Sequence, residues 1–135
     1  MSTEKTHKTT AAHFQAFKET AQKFIELLGL KDWEIVIEHK SCEDGILASA
    51  VPICLDGKMY RLILAKNWGK MEPTYEEIRV VAIHEVLHVL LSDITEGVDI
   101  LLDDTPRATK RNIREMYAHG VINRLLPLLM RLETK

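Results

Sequence analysis

The first regular pattern in the chain is a helical repeat of apolar residues that follows about ten polar positions. Apolar side chains recur every three or four positions, which places them on one face of an α-helix, at Phe14, Phe17, Ala21, Phe24 and Leu28. Gly29 comes next and favours a helix end at that point. The pattern therefore predicts an amphipathic helix preceded by a flexible N-terminal tail over residues 1–10.

Three segments with strand character follow this helix. Residues 33–38 alternate between the two faces of a strand, and residues 46–53 and 60–65 form two further apolar segments. Asp56 and Gly57 separate the last two, and an Asp-Gly pair favours a hairpin. Pro52 has no N–H to donate, so it confines the end of the middle segment to a sheet edge or an irregularity. We expect a small sheet of about three strands.

Two helix starts can be recognised in the second half of the chain. Thr74, with Glu77 three positions later, matches a capping box. Thr105 and Pro106 match a second start, in which a capping hydroxyl precedes proline at the first helical position. Pro127 should kink or end this last helix, because proline removes a helical hydrogen bond.

The order of elements predicts an α+β fold. A small antiparallel or mixed sheet would pack on the N-terminal helix, the helix that begins near Thr74 and the C-terminal helix. The length of 135 residues suits one such domain, which we place over residues 11–135.

Composition narrows the possible function classes. The net charge of −2 argues against a main role in binding nucleic acid or an anionic membrane. A local basic cluster is interpreted as a solvated helix face, with a docking patch as the alternative, and consists of Arg107, Lys110, Arg111 and Arg114. The polar start lacks a signal-peptide core, so we expect a cytoplasmic protein in which Cys42 and Cys54 are free thiols.

The strongest chemical signal is His84-Glu85-Val86-Leu87-His88 within an apolar helix. Histidines four positions apart share a helix face, so both imidazoles can reach one ion. Glu85 points about 100° away and can reach a metal-bound water without binding the metal. This matches the H-E-x-x-H pattern of zinc hydrolases. The alternative is a pair of hydrogen-bonded core histidines, but burying three polar groups in such a helix is costly unless a ligand satisfies them.

A catalytic zinc site of this kind needs a third protein ligand. Leu91 and Ile94 occupy the positions where metzincins require glycine and histidine. The remaining candidates lie downstream, at Asp93, Glu96, Asp99, Asp103, Asp104, Glu115 and His119. Glu115 is preferred, because the last helix can return antiparallel and direct it at the metal. His119, one turn later, could orient a ligand, contact the oxyanion or replace Glu115 as ligand.

At these residues the sequence resembles the gluzincin-like zinc peptidases, and most closely the small phage- and prophage-associated metallopeptidases and the ImmA/IrrE-like group. The resemblance covers residues 30–37, 62–65, 84–91 and the chain from Glu115 onward. It implies a minimal zincin with His84, His88 and Glu115 as zinc ligands and Glu85 as general base and acid. It departs from the ImmA/IrrE-like group at His119, where asparagine would be expected. The implied substrate is a protein or peptide bound in extended form along a sheet edge.

Three functional hypotheses remain open at this stage. The leading one is a zinc metallopeptidase. The second is a zinc-stabilised binding module without activity, which would follow if a fourth side chain closed the site. The third is a metal-free helical interaction domain in which His84 and His88 are core residues.

Overall fold

Three helices and five strands make up the part of the chain that the computed structural model describes, residues 6–54, 57–92 and 104–133. In chain order these elements are β1 (His7–Lys8), α1 (Ala11–Leu27), β2 (Glu34–Lys40), β3 (Ala48–Cys54), β4 (Met59–Ala65), β5 (Asn67–Gly69), α2 (Tyr75–Leu90) and α3 (Arg107–Glu133). The predicted α+β class is confirmed.

Contacts along the chain group into two compact units, Met1–Val86 and Leu87–Lys135. The first contains the strands, α1 and most of α2, and the second contains the last turn of α2 and the whole of α3. Helix α2 is continuous across the division. The single domain expected over residues 11–135 stays a prediction.

The first unit contains a mixed three-stranded sheet with the order β2–β4–β3. Strand β2 runs parallel to β4, and β3 pairs antiparallel with β4 as the predicted hairpin requires. Asp56, in the predicted turn, lies outside the described residues. The register of β3 shifts between Pro52 and Cys54, which is the irregularity expected where proline cannot donate to the ladder.

Alternate residues of the central strand and one face of α1 form the core of this unit. Leu62 and Leu64 of β4 are fully buried, as are Phe17, Ala21 and Phe24 of α1. Their spacing is two on the strand and three or four on the helix, so each element places one face in the core. The three helix residues are among the five that the hydrophobic pattern places on the apolar face, and the other two, Phe14 and Leu28, are half-buried.

The N-terminal segment is more ordered than the predicted tail over residues 1–10. Strand β1 pairs antiparallel with β5, and Thr9 Oγ1 donates a 2.7 Å hydrogen bond to the carbonyl of Ala65. Thr10 then caps α1, since the His13 N–H donates to its hydroxyl at 3.2 Å. The prediction of a tail is therefore wrong for residues 7–10, because their backbone and hydroxyl groups find partners in the sheet region. Residues 1–5 lie outside the described residues.

The second unit is dominated by α3, which spans 27 residues. The buried apolar side chains of this helix are Ala118, Ile122 and Leu129. The helix continues through Pro127 to Glu133, so of the two predicted outcomes the helix end is wrong, and a kink at Pro127 stays a prediction. Proline removes one N–H, but burial of Leu129 in the following turn favours continuation of the helix. Within the described ranges, no helix is both long and apolar enough to cross a bilayer.

Candidate metal centre

Helix α2 carries the H-E-x-x-H segment and begins where the capping pattern predicts. The Glu77 N–H donates to Thr74 Oγ1 at 3.2 Å, and the Ile78 N–H donates to the Thr74 carbonyl at 2.9 Å. The helix is apolar around much of its circumference, since Ile78, Ala82, Ile83, Val86, Leu87 and Val89 are all fully buried. The polar side chains of the segment therefore stand in mainly apolar surroundings.

A contact between two histidines joins the end of α2 to the middle of α3. The Nε2 atoms of His88 and His119 lie 3.2 Å apart, and their rings meet edge to face with centroids 5.0 Å apart. A tetrahedral zinc ion bound at about 2.0–2.1 Å holds its nitrogen ligands about 3.3 Å apart. The separation of these two nitrogen atoms therefore matches one edge of a tetrahedral site.

His84 completes a group of three, because it lies one helical turn before His88 on α2. Each of His84, His88 and His119 offers one ring nitrogen, and these atoms all lie within 4.8 Å of one another. His84 and His88 are half-buried, whereas His119 is exposed. Three neutral imidazoles form a donor set that zinc accepts in catalytic sites, with a fourth position left for water or substrate. The residues present fit the metal.

A direct hydrogen bond between His88 and His119 is the competing interpretation. It requires one Nε2 to carry a proton and the other to accept it. That arrangement involves two of the three rings and leaves the burial of the neighbouring carboxylate unexplained.

Glu85 is the second unusual group of the segment. It is only 7% exposed, and burial raises its pKa to about 8. Among the described residues, no hydrogen-bond or ion-pair partner satisfies its carboxylate. A buried carboxylate is costly without a partner, and strongly shifted carboxyl groups concentrate at functional sites. Glu85 is therefore a candidate for a group that acts on a ligand.

Cys42 is a neighbour of Glu85 that sequence reasoning did not find. Burial raises the pKa of its thiol, and the charge of Glu85 raises it further. The two residues are 43 positions apart, and neither belongs to a cysteine motif, so the sequence contains no signal for this proximity. Both cysteines are free thiols, as predicted.

Glu115, the predicted third ligand, is not part of the histidine group. Its carboxylate is 55% exposed and accepts a 3.3 Å hydrogen bond from Arg111 Nε, one turn earlier on α3. The geometry favours His119, four residues further along the same face. Asp104 is exposed and also lies outside the group. Four other candidates lie outside the described residues, namely Asp93, Glu96, Asp99 and Asp103.

Comparisons with protein-family models, curated proteins and solved structures give no match. The candidate centre therefore rests on its own residues and their geometry.

Proposed function

We propose that this protein is a zinc-dependent peptide-bond hydrolase in which His84, His88 and His119 bind the metal and Glu85 is the general base. One observation carries the proposal: three histidine nitrogen atoms lie within 4.8 Å of one another, and the residue next to the first of them is a carboxylate that is 7% exposed. The three histidines can bind a metal ion and the carboxylate can act as a base, and metal-assisted hydrolysis uses both.

The histidines would hold zinc through neutral ring nitrogens, so protons compete with zinc and binding weakens at acidic pH. When bound, zinc activates water as a nucleophile near neutral pH and polarises a carbonyl. Three imidazoles leave the full charge of the ion uncompensated, whereas the predicted pair of histidines plus Glu115 would leave one positive charge. The donor set of this proposal therefore favours a more acidic water.

Glu85 would accept the proton of the attacking water and return it to the leaving nitrogen. Its position supports this role, because it follows His84 and points away from the face that His84 and His88 share. Its pKa of about 8 is that of a carboxyl group without a cation nearby, and a bound divalent ion favours the charged form. A glutamine at this position keeps the shape but cannot accept the proton.

The roles of Glu115 and His119 differ here from those expected from the sequence. His119 becomes a ligand instead of an oxyanion contact, and Glu115 becomes a surface residue paired with Arg111. The resemblance to gluzincin-like peptidases therefore extends to the H-E-x-x-H helix but not to the third ligand. An extended peptide in the cytoplasm remains the proposed substrate class.

A binding module without activity is the second candidate, and an exposed apolar stripe on α3 favours it. Tyr117, Val121, Leu128 and Leu132 lie within about 60° of one another around the helix, and their exposed fractions are 66%, 40%, 54% and 46%. Such a stripe is typical of protein contacts. In this case zinc would stabilise the fold without supporting turnover.

Metal analysis of the purified wild-type protein and three variants tests the assignment. Wild-type protein should retain about one zinc per chain, and His119→Ala should weaken binding by more than the roughly 10–100-fold typical of losing an outer partner. Glu115→Ala, one turn away on the same helix, is the matched control and should leave the affinity within about threefold. Glu85→Gln should keep zinc and lose hydrolysis of an unstructured protein such as casein.

Each outcome assigns one part of the site. Loss of zinc from Glu115→Ala but not from His119→Ala would restore the gluzincin-like arrangement. Full zinc occupancy with no turnover by wild type would favour the binding module. Turnover that persists in Glu85→Gln would remove Glu85 from the mechanism.

A further inference from the structure

Helix α3 concentrates positive charge in a chain that is acidic overall. It contains six basic and two acidic side chains, a net charge of +4, while the whole chain has a net charge of −2. Most of these basic groups precede His119. This half of the helix therefore attracts anionic groups, and the attraction is strongest at low ionic strength.

Arg107 and Arg111 lie on the same helical row as the proposed ligand. Residues four positions apart are neighbours on a helix surface, so Arg107, Arg111, Glu115 and His119 form one continuous ridge. An open groove of about 560 Å³ follows its first half, lined by Arg107, Ala108, Arg111, Asn112 and Glu115. A chain bound in this groove can continue along α3 toward the proposed metal.

The two arginines are available for binding. The side chain of Arg111 is 71% exposed, and its 3.3 Å bond to Glu115 uses one of the five N–H donors of a guanidinium group. Arg107 is exposed, and among the described residues it has no ion-pair partner. Their planar groups suit bidentate recognition of carboxylates.

The spacing along the helix sets the position of the group that would be recognised. Arg111 and Arg107 precede His119 by about 12 Å and 18 Å along the axis, at 1.5 Å per residue. An extended peptide advances about 3.3 Å per residue. A carboxylate on either arginine would therefore belong to a residue about four to six positions from the bond at the metal.

We propose that the ridge formed by Arg107 and Arg111 binds acidic side chains of the peptide substrate and makes the protein selective for acidic segments. The inference rests on the proposed hydrolase function, because it assigns the ridge to a substrate of that reaction. Binding to the ridge can nevertheless be tested without turnover. Charge complementarity favours this occupant, as does the groove, whose last lining residue, Glu115, lies one helical turn before His119.

The experiment measures binding of two fluorescent peptides to the Glu85→Gln variant by fluorescence anisotropy. Both peptides have twelve residues, and one carries a block of four Asp or Glu residues where the other has Ser and Gln. The acidic peptide should bind about tenfold tighter at low salt, and this preference should shrink in 0.5 M salt. Arg107→Gln/Arg111→Gln should abolish it. Arg124→Gln/Arg131→Gln removes the same charge from the same helix and should leave at least half of the preference.

Equal binding of both peptides, or an equal loss in both double variants, overturns the inference. It is also overturned if a single-stranded oligonucleotide of the same charge binds the ridge more tightly than the acidic peptide. Acidic preference in a protein that does not hydrolyse peptides would contradict the proposed function and leave the ridge assigned. Hydrolysis without a preference for acidic peptides would support the proposed function and contradict the assignment of the ridge.

Discussion

The two units of the molecule differ in how their side chains are buried. In the first, α1 and β4 contribute large side chains that are fully buried, among them Phe24 and Leu62. In the second, α3 has only three buried apolar residues over 27 positions, while five of its large apolar side chains are at least 40% exposed. The first unit has a core of large buried side chains, whereas α3 leaves several of its large apolar side chains exposed.

The largest effect is expected on the free energy of unfolding, when one large side chain is truncated in each unit. Phe24→Ala removes a fully buried ring and should lower the free energy of unfolding by about 3–5 kcal/mol. Leu128→Ala, at a site that is 54% exposed, should change it by less than about 0.5 kcal/mol. Urea denaturation followed by circular dichroism measures both. A loss above about 2 kcal/mol for Leu128→Ala would show that this side of α3 is packed.

Zinc is expected to have an effect of intermediate size, on the rate of amide hydrogen exchange in the second unit. Without zinc, the amide hydrogens of α3 should exchange at least about tenfold faster than those of β4, because fewer buried contacts protect them. Zinc at 100 times its dissociation constant adds about 2.7 kcal/mol to any state that binds it. Hydrogen exchange of α3 should then slow by up to about 100-fold.

His119→Ala is the control for that measurement, since it should make exchange in α3 independent of zinc. The prediction fails if α3 is as protected as β4 in the presence of a chelator. In that case the second unit would have a sufficient core of its own.

The smallest effect concerns pH and belongs to the first unit. Burial lowers the pKa of His39, and the charges of Lys66 and His13 lower it further. The His39 ring stacks on Phe14, and its Nε2 atom lies 2.7 Å from Thr9 Oγ1. The Thr9 hydroxyl donates its own proton to the carbonyl of Ala65. The folded state therefore favours neutral His39, with a proton on the nitrogen that faces Thr9.

Because the unfolded state binds more protons, the stability that neutral His39 contributes is fully present above the unfolded pKa of about 6.5. It is lost as the pH falls from there through the lower folded pKa. Unfolding by urea between pH 7.5 and 5, with a chelator present to remove any effect of zinc, should show this loss in the wild type and less of it in His39→Gln. An identical pH profile for both proteins would exclude His39 as the titrating group.

The contrast between the units also explains which elements could be predicted from sequence. Helix α1 has a clear hydrophobic period because one of its faces is buried, and strand β4 can be recognised as a short apolar segment after an Asp-Gly turn signal. The start of α2 has a local capping signal at Thr74. Strands β1 and β5 span only two and three residues, so they are too short to show a period, and their pairing depends on contacts about sixty positions apart.

The third proposed ligand shows where sequence reasoning stops. Glu115 and His119 lie four positions apart on one face of α3, so the helical pattern treats them as equivalent. The distance between His88 and His119 separates them, and it depends on the register of α3 along its axis. A shift of one helical turn, about 5.4 Å, would exchange the two residues. No local feature of the sequence encodes such a shift.

The placement of the three histidines also has a consequence for biosynthesis. His84 and His88 leave the ribosome together, but His119 follows 31 residues after His88. At about 5–20 residues per second, the third histidine is added roughly 1.5–6 s after the end of α2. If the proposed function holds, the nascent chain can thus begin to fold its first unit before the third ligand is available, and zinc would be bound late in the maturation of the protein.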